Sequence, residues 1–236
     1  MNVTSPSLKI EPSMKGKTII FCLPGRTYSG NFMINFIELL SYVSQQGASF
    51  KISQQYSSMV NYARCKCAGA DVSKGKNQKP FDGIHYDYMM WIDSDIRFNN
   101  EMFQKLFDMN KPIASGWYAQ PGGAVSGGMY TPVVQSMDDE YFKKHGTYQF
   151  LTTEDMAEKT DPIKVDYIGF GWVLIKRGVF EKLEYPWFAP KLMYIDENVQ
   201  DVCSEDVSFC HDAKDVGFDI WMDPTCRVGH EKMVII

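Results

Sequence analysis

The sequence has no run of about 18 uninterrupted apolar residues, and it does not open with a charged region followed by an apolar stretch. The expectation is therefore a cytoplasmic chain with neither a membrane span nor a signal peptide. There is no basic surplus either: 24 Lys and Arg against 29 Asp and Glu leave a formal net charge of −5. That argues against nucleic-acid binding through a broad basic surface, and any anionic ligand must be neutralised locally. No CxxC pair occurs. Cys65 and Cys67 stand two apart, and with Cys22, Cys203, Cys210 and Cys226 they lack the spacing of a structural zinc site or a disulfide scaffold, so reduced thiols are expected. Both nucleotide fingerprints, GxxxxGK[ST] and a strand-to-helix GxGxxG, are missing. The glycine-rich run QPGGAVSGGMYTP has neither order and reads as a loop beside a ligand or a hairpin tip.

What is present suffices for a globular enzyme. With 44% apolar and 14% aromatic content over 236 residues, the chain can bury a sizeable core. Residues 1–16, polar with two prolines, read as a flexible lead-in, and 17–236 as a single domain. The stretch YDYMMWIDSDIRF, residues 86–98, organises the rest. Its apolar run MMWI is too short for a helix and suits a strand buried on both faces. Asp93 and Asp95 follow, separated by Ser94. On an extended strand, residues i and i+2 point the same way, so both acids are expected to face one spot at the strand's carboxyl end, where open α/β sheets bind ligands. Two like charges held together call for a cation, and oxygen donors suit Mn²⁺ or Mg²⁺. A solvated turn is the plain alternative.

Around this stretch the pattern alternates strand and helix. KTIIFCLPG predicts a strand over Thr18–Leu23, and Phe32, Phe36, Leu39, Leu40 and Val43 recur at helical spacing up to a stop at Gly47. ASFKISQQY predicts a second strand, and the segment after it a helix carrying Arg64. A helix follows the acids, with Met102, Phe103, Leu106 and Phe107 inward, then the short strand PIASGWYA. Residues 136–162 are polar and read as an insertion or subdomain break. IKVDYIGFGWVLIKRGVFEKL predicts a strand pair or kinked strand through Gly169 and Gly171. The last third offers a helix with Glu205, Asp206 and Phe209, the strand FDIWMD and a loop reaching His230.

A strand ending in DSD, a GFG strand, a helix opening with SED, and a final strand followed by VGH occur in that order. Together, over residues 17 to about 232, they resemble the GT-A glycosyltransferases, especially the family 2-like, nucleotide-sugar-dependent kind. The resemblance implies a GT-A, Rossmann-like α/β fold with a mixed, mostly parallel central sheet flanked by helices. It implies a nucleotide-binding half at about 17–97 and an acceptor-side half at about 98–236. It also implies transfer of a sugar from a nucleotide diphosphate sugar, with UDP favoured, to a glycan or other hydroxyl acceptor, with inversion. In such enzymes the last acid of DxD binds the metal and the first reaches ribose or metal, so Asp95 looks like the ligand and Asp93 its helper, with Ser94 at the nucleotide. His230 fits the histidine that completes the metal sphere, and imidazole suits Mn²⁺ better than Mg²⁺. Asp206 matches the general base of the xED motif, with Glu205 orienting it or the acceptor. Pro24, Arg26 and Tyr28 correspond to the base-lining loop, Arg64 to an arginine near the nucleotide, and Gly169, Gly171 and Trp172 to the floor of the sugar pocket. Both acids of SED would equally suit a helix N-terminus capped by Ser204, and Trp172 would equally suit a core.

Three other readings stand beside this one. A nucleotidyltransferase would show a glycine-rich basic loop after the first strand, which CLPGRTYSGNF matches poorly. A non-haem iron oxygenase would use His85 and Asp87 with His230, leaving DSD without a role. A GT-A-like module that binds a sugar nucleotide or glycan without turnover is the non-enzymatic alternative.

Overall fold

The computed structural model describes residues 13–121 and 129–232. Most of the lead-in (1–12) and the centre of the glycine-rich run (122–128) therefore lie outside the described residues. Met14 is buried, and the Gly16 N–H donates to the Gly47 carbonyl at 2.9 Å.

The first strand, β1 (Thr18–Pro24), leads to helix α1 (Gly30–Gln45). Ser29 caps that helix by accepting the Phe32 N–H, and Gly47 beyond its end adopts φ 82°, as its stop position requires. Then come β2 (Ser49–Gln55), α2 (Val60–Cys67), β3 (Tyr88–Ile92), the short β4 (Ile96–Arg97) and α3 (Asn100–Met109), capped by Asn99. Next are β5 (Ile113–Trp117), the small pair β6 (Gln120–Pro121) and β7 (Met129–Tyr130), and β8 (Val133–Val134). The polar stretch 136–162 forms α4 (Asp139–His145) and α5 (Thr153–Ala157), and its Phe142, Tyr148 and Met156 join the same apolar cluster as Trp91. The GFG segment yields β9 (Ile163–Val165), β10 (Tyr167–Ile168) and β11 (Trp172–Lys176). A hairpin, β12 (Lys191–Tyr194) with β13 (Gln200–Cys203), precedes α6 (Glu205–Asp215), β14 (Ile220–Arg227) and β15 (Gly229–His230).

Seven strands make the central sheet in the order β2-β1-β3-β11-β5-β14-β9. β2, β1, β3, β5 and β14 run in one direction, while β11 and β9 run against them. As the apolar run predicts, β3 is buried on both faces. Met89 and Trp91 join one core with α2, α4, α5 and α6, and Tyr88, Met90 and Ile92 join the other with α1 and α3. The carboxyl ends of β1 and β3 and the start of β11 therefore meet at one edge of the sheet.

Candidate active site

The strand does not continue through the two acids. β3 stops at Ile92 and residues 93–95 make a tight turn, the Ile96 N–H donating to the Asp93 carbonyl at 3.1 Å. The expectation that both acids share one extended strand face is thus corrected: the turn sends Asp93 and Asp95 to different partners. Gly25 makes room for this turn, since a Cβ there would lie 2.7 Å from the Ser94 Cβ, so the loop after β1 packs directly on the DSD segment.

Asp95 meets the far end of the chain. β15 pairs with β4, setting Gly229 opposite Arg97 and His230 opposite Ile96, and the Glu231 N–H donates to the Asp95 carbonyl at 2.7 Å. Gly229 is needed there because a Cβ would come within 2.8 Å of the Arg97 Cβ. His230 Nε2 lies 3.0 Å from Asp95 Oδ2, and the Lys232 ammonium is 2.9 Å from the same oxygen. Burial pushes the Asp95 carboxyl up in pKa, but the hydrogen bonds and charges of His230 and Lys232 outweigh it and hold it at about 2.

Asp93 turns towards Arg64. That guanidinium is buried in the wall of the site, with Nη2 3.0 Å from Asp93 Oδ2, Nε 3.2 Å from Glu205 Oε1 and its plane near the Phe170 ring. Burial alone would lower its pKa, yet Asp93 and Glu205 more than reverse this and raise it. Glu205 is itself pushed up, by burial and then by Asp206, with Arg64 opposing. Asp206 Oδ2 accepts the Tyr167 hydroxyl at 3.0 Å, and Oδ1 accepts the Val207 N–H at 2.9 Å and the Ser204 hydroxyl. Ser204 occupies the N-cap position of α6 but spends its hydroxyl on Asp206 and not on the helix backbone. Arg64 thereby joins Asp93 to Glu205 beside Asp206, while Asp95 is held by His230 and Lys232.

The remaining predicted residues divide. Pro24 is buried at the end of β1, Arg26 is exposed with its guanidinium 5.7 Å from the Tyr56 ring, and Tyr28 spends its hydroxyl on the Leu23 and Gly25 carbonyls at 3.0 and 3.3 Å. Trp172 requires correction. Its indole is wholly buried and stacked on Phe98 at 4.8 Å, so it is core and presents no face to a sugar ring. Gly169 and Gly171 do allow close approach, but by a side chain: a Cβ at Gly169 would lie 2.6 Å from the Tyr118 hydroxyl, and one at Gly171 would lie 2.7 Å from Tyr118 Cε1. His85 and Asp87 precede β3 at the opposite sheet edge from His230, which removes the facial-triad reading.

Sequence reasoning missed Tyr118, Tyr167 and Lys232. Tyr118 packs edge-on against His230, ring centroids 4.8 Å apart, and burial followed by the charge of Asp93 raises its pKa. The signals for the other two were adjacency: Tyr167 stands two residues before the first glycine of GFG, and Lys232 two residues after the histidine of VGH.

Among the described residues no group of three or more His, Cys, Asp and Glu forms a ready metal cluster. Two observations nonetheless fit a divalent ion. Asp93 Oδ1 is buried without a hydrogen-bond partner. His230 sets Nε2 3.0 Å from Asp95 Oδ2 and Nδ1 3.4 Å from the Ala119 carbonyl, so an imidazole nitrogen and a carboxylate oxygen stand side by side while the other ring nitrogen has its own oxygen partner. Carboxylate and imidazole are a suitable donor pair for Mn²⁺.

No protein-family model matches the sequence, and no curated protein matches it. Solved structures do. The crystal structure of GalNAc-T7 with UDP, GalNAc and Mn²⁺ superposes with a TM-score of 0.54 at 12% identity, covering 93% of this chain and 44% of that one. This chain thus matches less than half the length of GalNAc-T7. A197 from STIV aligns over 93% of this chain and 96% of its own, at 15% identity and a TM-score of 0.47. The chain has a GT-A-like fold, a mixed α/β sheet of seven mostly parallel strands flanked by helices.

Proposed function

We propose that the chain is a metal-dependent glycosyltransferase that moves a sugar from a nucleotide diphosphate sugar, UDP-linked by preference, to an acceptor hydroxyl with inversion. The observation that carries this reading is the 3.0 Å contact of Asp95 with His230, two side chains 135 residues apart brought to the sheet edge where α/β folds bind nucleotides. The GT-A-like fold and the GalNAc-T7 likeness support it. A single domain over 17–236 would carry the activity, with donor elements before residue 97 and acceptor elements after it.

In this scheme Asp95 and His230 would hold Mn²⁺ or Mg²⁺, with Asp93, whose Oδ1 is buried without a hydrogen-bond partner, as their helper. When bound, the metal would offset the negative charge that grows on the departing diphosphate. Arg26 and Tyr28, with Pro24 ending the strand beneath them, form the loop that meets the base, and Tyr56 beside Arg26 offers it a ring. Ser94 and Asp93 face the ribose. Gly169 and Gly171 shape the pocket floor by admitting Tyr118. Asp206, oriented by Tyr167 and Ser204, takes the acceptor proton as the hydroxyl attacks C1 from the face opposite the diphosphate. Glu205, held by Arg64, orients the base or the acceptor.

The test is release of nucleoside diphosphate from a panel of nucleotide sugars with Mn²⁺ and simple glycan acceptors, followed by NMR assignment of the product anomer. Activity abolished in Asp95→Ala and in Asp206→Asn, with an inverted product, is the expected result. Tight donor binding with no turnover of any donor would point instead to a non-catalytic module.

A further inference from the structure

The opposite edge of the sheet concentrates positive charge that glycosyl transfer does not use. β1 and β3 begin there and antiparallel β11 ends there, so Lys17, Asp87 and Lys176 share one rim. Lys176 is opposite Tyr88, the Asp87 N–H donates to the Thr18 carbonyl at 2.8 Å, and the Arg177 N–H to the Asp87 carbonyl at 2.8 Å. With strands about 4.8 Å apart, Lys17 and Lys176 stand on backbones about 10 Å apart. Together with His85, Tyr86 and Asn110 they line a basin of about 360 Å³.

This basin is cationic although the whole chain carries −5. Its one carboxylate is already engaged: Asp87 accepts the Lys17 ammonium at 3.1 Å and the Thr18 N–H at 2.9 Å. Behind the rim Glu181 accepts the Tyr86 hydroxyl at 2.7 Å and the Gly178 N–H at 2.6 Å and lies 3.9 Å from Arg177 Nε, leaving the Arg177 Nη groups at the rim. Lys176 makes no carboxylate contact among the described residues. Its ammonium donates to the carbonyl of Asn110 at 2.6 Å and to that residue's side chain. Capping the end of α3 accounts for Lys176 by itself. It does not account for the company of Lys111 and Lys17, whose like charges act on a partly buried ammonium; burial first, then Lys111 and Lys17, pull its pKa down. An anion in the basin relieves that repulsion, with ammonium groups as point charges and the Arg177 fork at the rim.

We infer that this basin is a second binding site, for the phosphate group of a phosphomonoester, on the sheet edge away from the clustered acids. The five residues of β3 put about 17 Å between the two edges. The volume exceeds that of a bare phosphate and leaves room for the group's carrier, a soluble metabolite or the headgroup of a phosphatidic-acid-like lipid.

The test is an amide-resolved NMR titration of the full chain with inorganic phosphate, with chloride holding the ionic strength constant. Saturable shifts at Thr18, Asp87 and Arg177 are expected, with affinity falling roughly tenfold in Lys176→Met and in Arg177→Gln, the loss of one charge-assisted hydrogen bond. Arg177→Gln leaves the Asn110 cap intact and so serves even if Lys176→Met unsettles α3. Shifts confined to residues 93–95, shifts equally produced by chloride, or equal affinity in wild type and both variants would overturn the site. Sedimentation with phosphatidylcholine vesicles containing phosphatidic acid, weakened by the same variants, assigns the carrier to a lipid. Saturable phosphate binding without sedimentation assigns it to a soluble phosphomonoester.

Discussion

Arg64 lies on a two-turn helix in the first half of the chain and holds carboxylates from two later segments, Asp93 and Glu205. Removing it would leave both acids facing each other with no counter-charge in a partly buried wall. Arg64→Met is expected to destabilise the fold by about 3–5 kcal/mol, read from urea midpoints. Arg64→Lys should recover only part of this, because an ammonium cannot span two carboxylates with a planar fork. A lysine as stable as wild type would show that the fork geometry contributes nothing. Tyr167 acts more locally. Tyr167→Phe deletes the hydrogen bond to Asp206 Oδ2, which should lower stability by only about 1 kcal/mol. On the proposed mechanism it should also reduce turnover roughly tenfold with little change in donor KM, since an unheld base is misaimed while the donor contacts persist.

At the scale of elements, strand junctions carry the constraints. Gly116 on β5 faces β14 where the ladder shifts register between Met222 and Arg227, and a Cβ there would lie 2.6 Å from the Cys226 carbonyl. Backbone cannot yield as a side-chain tip can. Gly116→Ala is therefore expected to cost about 1–3 kcal/mol, measurable as a lowered melting temperature. At the starting edge of the sheet, Asp87 ties β1 to β3. Burial raises its pKa, but the Thr18 N–H and Lys17 prevail and lower it overall. A carboxylate whose folded pKa lies below its unfolded value adds stability above about pH 4, and that stability fades as pH falls through the folded value. The gap in stability between wild type and Asp87→Asn should be widest near neutrality and close below pH 4. A gap that stayed constant with pH would mean the charge plays no part. Much of this level was legible in the sequence: MMWI declared a doubly buried strand, and Gly47 marked the end of the first helix by its chemistry. The DSD turn was not, because a three-residue change of direction has no periodicity to announce it. Nor was Trp172, since an aromatic after GFG reads alike whether it packs on Phe98 or lines a pocket.

For the whole molecule, order along the chain was legible while mutual orientation was not. Four short motifs pointed to segments near 93, 170, 205 and 230, yet Tyr118 packs against glycines some fifty residues later, a contact no local pattern records. On the proposed reading both chain halves would converge on one cation, which would make metal binding a global property. If Asp95 and His230 hold Mn²⁺ in the folded state alone, ligand binding and folding are linked, and metal at about 100 times its Kd adds about 2.7 kcal/mol. For a chain of this length that corresponds to a rise in Tm of roughly 5–10 °C. His230→Ala and Asp95→Ala should each abolish the rise, whereas Lys232→Met should enlarge it, because the lysine competes for the same Asp95 oxygen. UDP should add to the effect of Mn²⁺ by more than the two give separately, since each would complete the other's site and the coupling is reciprocal. Equal Mn²⁺ shifts in wild type and His230→Ala would detach the histidine from the metal and, with it, the link between the chain's end and its central strand.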